Sequence, residues 1–308
     1  MSDTFVTASP HWMWFIIAYF FIGGIAGAAY FLAGALEWFG RTEDRSVIRT
    51  AYSLAFWGAI ISGVVLTIDL GKPLRFWHML LQSNNFPNLM FKSWSPMSFG
   101  VWAFLLFSLC AVLSQIGAWT DEGRVRTPIA QPLRSGTMLA KVIAGLGGLL
   151  GLFIAGYTGV LLTVTNRPIW ADSPWLGALF IASAASTGAA MLLLRAPKRG
   201  ATASSLAWLE AFDKRALVLE LVILVVFVAW LWPIRQVWLS FWGLLLLVGV
   251  VGAGILWPLR LHTRPAGAAR TGFRNPAVMV LVGGFLLRVV ILMASNGIQH
   301  QMATALAR

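Results

Sequence analysis

Four residues able to exchange protons or hold an anion fall close together at 66–80, in the stretch LTIDLGKPLRFWHML. They are Asp69, Lys72, Arg75 and His78. A carboxylate can take up a proton, and an imidazole does so in the physiological range. A second set lies in GYTGVLLTVTNRPIW, which offers the phenol of Tyr157, the amide of Asn166, the guanidinium of Arg167 and the indole of Trp170. A third, His11 and Trp12, stands just before the first long apolar run, with Trp14 beside it.

These groups are carried by a strongly apolar chain. Of its 308 residues 58% are hydrophobic and 11% charged, with 16 Trp and 20 Phe and a mean hydropathy of +0.77. A soluble domain carries about 25% charged residues, so the composition reads as an all-α, polytopic membrane protein. A spanning helix needs about 20 mostly apolar residues. Eight such runs are predicted, over 12–39, 48–69, 95–118, 138–163, 175–195, 216–235, 237–258 and 275–296. Pro233, Arg235 and Gln236 mark a tight turn between the sixth and seventh. The whole sequence, 1–308, reads as one integral membrane domain of two four-helix bundles, with no soluble domain and no cleavable signal in Met1 to Pro10.

The net charge of +12 reports orientation here, not nucleic-acid binding. Most of the 23 Lys and Arg fall in the loops after runs 1, 3, 5 and 7, whereas the other side has Lys72, Arg75, Lys92, Arg167, Arg235 and Arg308. The positive-inside rule then places both termini and the 66–80 stretch outside, which in a bacterial inner membrane is the periplasm. The polar groups of the first paragraph thus gather at one membrane face.

The same counting excludes several chemistries. Haem ligation inside a bilayer needs His pairs on facing helices, and none of His11, His78, His262 and His300 lies at mid-span. The one cysteine, Cys110, cannot build a disulfide or an iron–sulfur cluster. No His has a second metal ligand one helical turn away within a span, so no metal site is expected. Ionisable residues at membrane depth are costly and point to function. Glu37 and Glu220 fall in the inner half and Arg288 near the middle of the last run, where they fit a proton path. Alternatively the two acids reach the interface or pair with loop arginines; Arg41 is one turn from Glu37.

Acid, imidazole, phenol and aromatic walls suit a quinone head group. Its reduction takes two electrons and two protons, and its tail lies along apolar helix faces. Electrons must then come from another polypeptide. The aromatic, basic segment after run 2, with Lys72, Arg75, Trp77 and Trp94, would be its platform. The stretch Phe76 to Leu81 reads as a short amphipathic piece lying at the interface.

The sequence resembles the NrfD family, the polysulfide-reductase type of membrane subunit. The resemblance rests on IGGIAGAAYFLAGALE, DLGKPLRFWHML, SPMSFGVWAF, GYTGVLLTVTNRPIW, LEAFDKRALVLELV and LVGGFLLRVVILMA, taken in this order. It implies a haem-free, quinone-binding (menaquinone or ubiquinone) subunit. The partners it implies are a periplasmic ferredoxin-like [4Fe–4S] subunit and, beyond it, a molybdopterin catalytic subunit or a multihaem cytochrome. It also implies a quinone-contacting tyrosine on the fourth helix, which corresponds to Tyr157. Asparagine and histidine contacts from the first helix would correspond to Trp14 and Ile17, a departure for which His11 or Asp69 can substitute. Two other readings of the residues stay open: a secondary transporter, and a structural anchor without a quinone site.

Overall fold

The computed structural model describes residues 12–262 and 275–306, with side chains described for 12–261 and 275–295. The helices are α1 (Trp14–Phe39), α2 (Arg45–Asp69), α3 (Pro96–Asp121), α4 (Met138–Thr163), α5 (Leu176–Arg195) and α6 (Ala203–Trp230). A rod follows, formed by α7 (Phe241–Leu245), the π-helical Leu246–Leu256 and α8 (Trp257–His262); α9 (Pro276–Leu306) is the last element. Among the described residues the sole β pairing is an isolated bridge between Leu81 and Leu89.

Seven described segments are long and apolar enough to cross a membrane. They are Trp14–Phe39, Thr42–Asp69, Pro96–Asp121, Met138–Thr163, Leu176–Arg195, Phe241–Leu261 and Pro276–Ser295. This is therefore a multi-pass membrane protein. The sixth run, expected at 216–235, belongs to a helix that starts well before it at Ala203 and stops at Trp230. The start is set by a cap: Thr202 Oγ1 accepts the amide N–H of Ser205 at 3.3 Å. Its first turns carry Glu210, Asp213, Lys214 and Arg215, so α6 falls short of the composition of a span although it is 28 residues long. The expected turn after it is a 3₁₀ segment, Trp232–Val237.

Helices α1 to α4 pack on one another, α5 packs on α6 and α9, and α1 and α5 meet along the seam between the two groups. α1 is the central helix of this arrangement, with Ile17, Phe20, Ala29, Tyr30 and Ala33 fully buried. It approaches α4 backbone to backbone. A Cβ at Gly27 would run into the carbonyl of Gly151, and one at Gly151 into that of Gly27. Without a solvent-driven hydrophobic force in lipid, such close contact is what holds helices together.

One end of the molecule is stitched by its basic loops. Arg199 Nη1 donates to Ser53 Oγ at 2.9 Å, Ser205 Oγ donates to Asp44 Oδ1 at 2.5 Å, and Arg134 pairs with Asp121 at 3.1 Å. At the other end the 70–95 connection folds over the bundle. Its 3₁₀ segment, Pro73–Met79, runs into a turn-back in which Met90 N–H donates to Leu80 O and Gln82 N–H to Asn88 O, both at 2.8 Å. Trp102 Nε1 donates to Met90 O at 3.0 Å and fastens this loop to the first turns of α3.

Candidate functional site: an apolar pocket beneath the 70–80 loop

A pocket of ≈ 460 Å³ opens at that loop-covered end, where α1 and α3 begin and α2 and α4 finish. Trp12, Ile16, Tyr19 and Phe20 form its α1 wall. Thr67 and Asp69 come from the last turn of α2, and Phe76, Met79 and Leu80 from the covering loop. Gly100 and Phe104 come from α3, and Tyr157 and Leu161 from α4. Positions 16, 19 and 20 fall on one side of α1, with Trp12 just before its start, and 157 and 161 fall on one side of α4. The short amphipathic piece predicted after run 2 turns Phe76 and Met79 over the pocket as a cover. Its 3₁₀ form brings residues three apart onto one face.

Tyr157 is buried, with its ring stacked on Phe153 one turn earlier at 5.4 Å and 22°. The phenol lies against the backbone of Gly100. A Cβ there would overlap the ring and its hydroxyl, so glycine at 100 is what lets the phenol reach this position. α3 is set for that contact by its own start. Pro96 occupies the first turn, and Ser95 Oγ accepts the Ser98 amide at 3.4 Å. Tyr19, across the pocket, meets Phe104 edge to face at 6.2 Å. Among the described residues no protein group hydrogen-bonds to either phenol or to the Asp69 carboxylate. All three polar groups thus border an otherwise apolar pocket with their bonding capacity unspent on protein.

The 164–175 loop backs the pocket without lining it. Trp12 stacks on Trp170 at 5.7 Å and 18°, and the Arg167 guanidinium lies 5.2 Å from the centroid of the same Trp170 ring. Trp170 is fully buried and its Nε1 donates to Ile291 O on α9 at 2.8 Å. Between them Ile169 has φ of +70°, a costly conformation for a β-branched residue. The Asp172 carboxylate accepts its amide at 3.0 Å and helps to hold it. The loop therefore ties the α1 wall of the pocket to the second group of helices.

Of the residues the sequence singled out, Trp12, Asp69 and Tyr157 meet in the pocket. Arg167 and Trp170 form its backing. Trp14 is 58% exposed and points away from it; Ile17 is core; Asn166 is exposed on the loop. His78 is half-buried beside the cover, edge-on to Trp77 at 4.0 Å, and is not a lining residue. Lys72, Arg75 and Trp94 are exposed around the cover. His11 and His300 lie outside the residues whose side chains are described. Tyr19, Gly100 and Phe104 were not singled out. The signal for Tyr19 was available, since it is a phenol inside an apolar run, as Tyr157 is.

The membrane-depth charges form separate sites. Glu37 is buried near the basic end, where Oε1 accepts the amide N–H of Gly136 at 2.5 Å; Arg41 pairs instead with Glu43 at 3.5 Å. In the second helix group Arg288 is fully enclosed. Its Nη1 donates to Ser183 Oγ at 3.0 Å and Gly284 O at 2.6 Å, and its Nε to Phe20 O at 3.3 Å. The rings of Phe180 and Phe21 flank it at 5.4 and 5.6 Å. Glu220 accepts from Ser186 Oγ at 2.7 Å, one turn along α5 from Ser183. No group of three metal-binding side chains occurs among the described residues.

A multi-pass helical membrane protein with an apolar, aromatic pocket at one end is the class that fold and site define. Residues 3–298 match the family model described as Polysulphide reductase, NrfD, and the protein belongs to that family. Curated relatives agree along nearly their whole length. A protein NrfD homolog of Haemophilus influenzae is 27% identical over 95% of this sequence and 96% of its own. A polysulfide reductase subunit of Wolinella succinogenes is 26% identical over 92% of this sequence and 94% of its own. Protein NrfD of Escherichia coli is 26% identical over 94% and 95%.

Proposed function

We propose that this protein is the haem-free membrane anchor and quinone-binding subunit of a respiratory oxidoreductase complex. It exchanges electrons between a periplasmic iron–sulfur subunit and the quinone pool. The observation that carries this reading is the pocket of ≈ 460 Å³ walled by Trp12, Phe20 and Phe104, with two phenols and a carboxylate at its rim. Small-molecule pockets run from about 300 to 1,000 Å³, mostly apolar with a few placed polar groups. That description fits a substituted aromatic dione.

A bound quinone supplies the two-electron, two-proton chemistry; the protein supplies position and protons. Trp12, Phe20 and Phe104 enclose the ring edge and faces, and the Phe76–Leu80 cover keeps water from it. Tyr157 and Tyr19 offer O–H donors for carbonyl oxygens. Asp69 exchanges protons with the outer water, since it is exposed at one side and borders the pocket at the other. His78, next to the cover, is the second group for that exchange. Lys72, Arg75, Trp77 and Trp94 surround the cover and form the docking face for the cluster-bearing partner. The Wolinella relative is itself one component of a polysulfide reductase, which accords with such an assembly.

In this reading α6 is an eighth span. Both termini, the pocket and the cover then lie on the periplasmic side of a bacterial inner membrane, opposite the arginine-rich loops. Glu37 on the inner side and the Glu220–Arg288 site in the second helix group are stations for protons crossing the bilayer.

The test joins binding to turnover. A short-tailed quinone titrated into the purified protein quenches tryptophan fluorescence and saturates at one equivalent per molecule. Asp69→Asn keeps this binding, while quinone-linked turnover of the assembled complex falls about 10²-fold, the low end for loss of a proton-transfer group. Absence of saturable quenching by the wild-type protein contradicts the reading. Full turnover in the variant removes Asp69 from it.

A further inference from the structure

A second hollow of ≈ 400 Å³ runs between α2 and α3 on the outer surface of the first helix group. Its walls are Phe56, Ile60, Val64 and Ile68 of α2 against Phe104 and Val112 of α3. Ile60, Val64, Ile68 and Val112 are exposed, so the furrow opens sideways to lipid. From position 56 to 68 it follows about 18 Å of helix rise. Its two hydroxyls are spent on their own helices, Thr67 on Gly63 O and Ser108 on Phe104 O, both at 2.7 Å. The furrow therefore presents hydrocarbon along its length.

The furrow adjoins the pocket. Gly63, Thr67, Phe104 and Ser108 line both. Gly63 stands at the boundary: a Cβ there would rest in ordinary contact with the Phe104 ring, at 3.8 Å. Phe104 stands between the two spaces, with its ring against Tyr19 on the pocket side.

We infer that the α2–α3 furrow holds the isoprenoid tail of the quinone whose ring occupies the adjoining pocket, and that the boundary at Gly63 is where the molecule passes from the bilayer. This rests on the quinone reading of the pocket. The shared chemistry is a long hydrocarbon tail, which a phospholipid also carries. The shared walls at Gly63, Thr67, Phe104 and Ser108 favour the quinone, because only a molecule with its head in the pocket uses both spaces. The order of binding follows from this geometry: the ring moves in sideways between α2 and α3, leaving the loop cover free to be held down by a docked partner.

The experiment narrows the furrow away from the pocket with Val112→Trp, and from the opposite wall with Val64→Trp, in the assembled complex in liposomes. The readouts are the KM for a long-tailed quinone divided by that for a tail-less analogue, and the quinone and phospholipid extracted per purified molecule. The KM ratio is expected to rise at least about tenfold, what losing contact with two methylene groups costs. Co-purified long-tailed quinone is expected to fall with it. An unchanged ratio in folded variants overturns the assignment. So does loss of co-purified phospholipid with quinone retained, which assigns the furrow to a lipid. If the wild-type protein binds neither quinone, the reading of the pocket itself fails, and that result appears before any substitution is made.

Discussion

Tyr157→Phe is expected to lower quinone-linked turnover about 10²-fold while leaving the protein folded, because it deletes one donor and nothing else. The ring keeps its stack on Phe153 and its place against Gly100. What disappears is a hydroxyl at the pocket wall that no protein group engages among the described residues. Gly100→Val is expected to match this loss by a different route. Its side chain needs the volume the phenol occupies, so the phenol must move off its position. The two are separated by thermal denaturation: Tyr157→Phe melts with the wild type, and Gly100→Val melts lower, since overpacking costs about 1–3 kcal/mol. The check is steady-state kinetics with a tail-less quinone alongside melting of the purified protein. Wild-type turnover in Tyr157→Phe takes the phenol out of the mechanism.

Arg288→Leu is expected to have the largest effect on stability. The guanidinium joins three helices, donating to Phe20 O of α1, Ser183 Oγ of α5 and Gly284 O of its own α9. Arg288 and Glu220, each bonded to its own serine of α5, also act on one another electrostatically. Leucine leaves those acceptors without donors in a fully buried site and removes the electrostatic influence of the guanidinium on Glu220. Removing one member of a buried charged set costs about 3–5 kcal/mol. The apparent melting temperature is expected to fall on the order of 10 °C, given roughly 2–4 °C per kcal/mol in domains of about 150–250 residues. Combining Arg288→Leu with Glu220→Leu is expected to restore part of it, because the buried carboxylate goes too. A double variant no more stable than the single one shows that Arg288 acts through its hydrogen bonds alone.

The helices were legible because length and hydropathy alone mark a span, and seven of the eight runs fall on helices that qualify. α6 shows the limit of that signal. Its start is decided by a hydroxyl cap at Thr202, not by where the apolar residues begin. At the site, Asp69 and Tyr157 were legible as polar groups placed where polarity is costly. Gly100 was not, because its role lies in the volume it leaves to a residue of another helix. Trp12 and Trp14 show the same in miniature. Trp12 lies just before α1 and Trp14 opens its first turn, so one indole borders the pocket and the other is exposed, yet their types are identical. His78 drew attention by chemistry, but the 3₁₀ turn points Phe76 and Met79, not the imidazole, over the pocket. Composition places residues at a depth; only packing decides which of them face one another.

Photolabelling tests the central claim most directly. A quinone carrying a photoreactive group on its ring is bound to the purified protein, illuminated, and the labelled peptides are sequenced. The expected adducts fall on the α1 face at Trp12–Phe20, on the α3 start near Gly100–Phe104 and on α4 near Tyr157, and excess unlabelled quinone suppresses them. Suppressible label confined to the second helix group, around Ser183, Glu220 and Arg288, would contradict a ring site beneath the 70–80 loop.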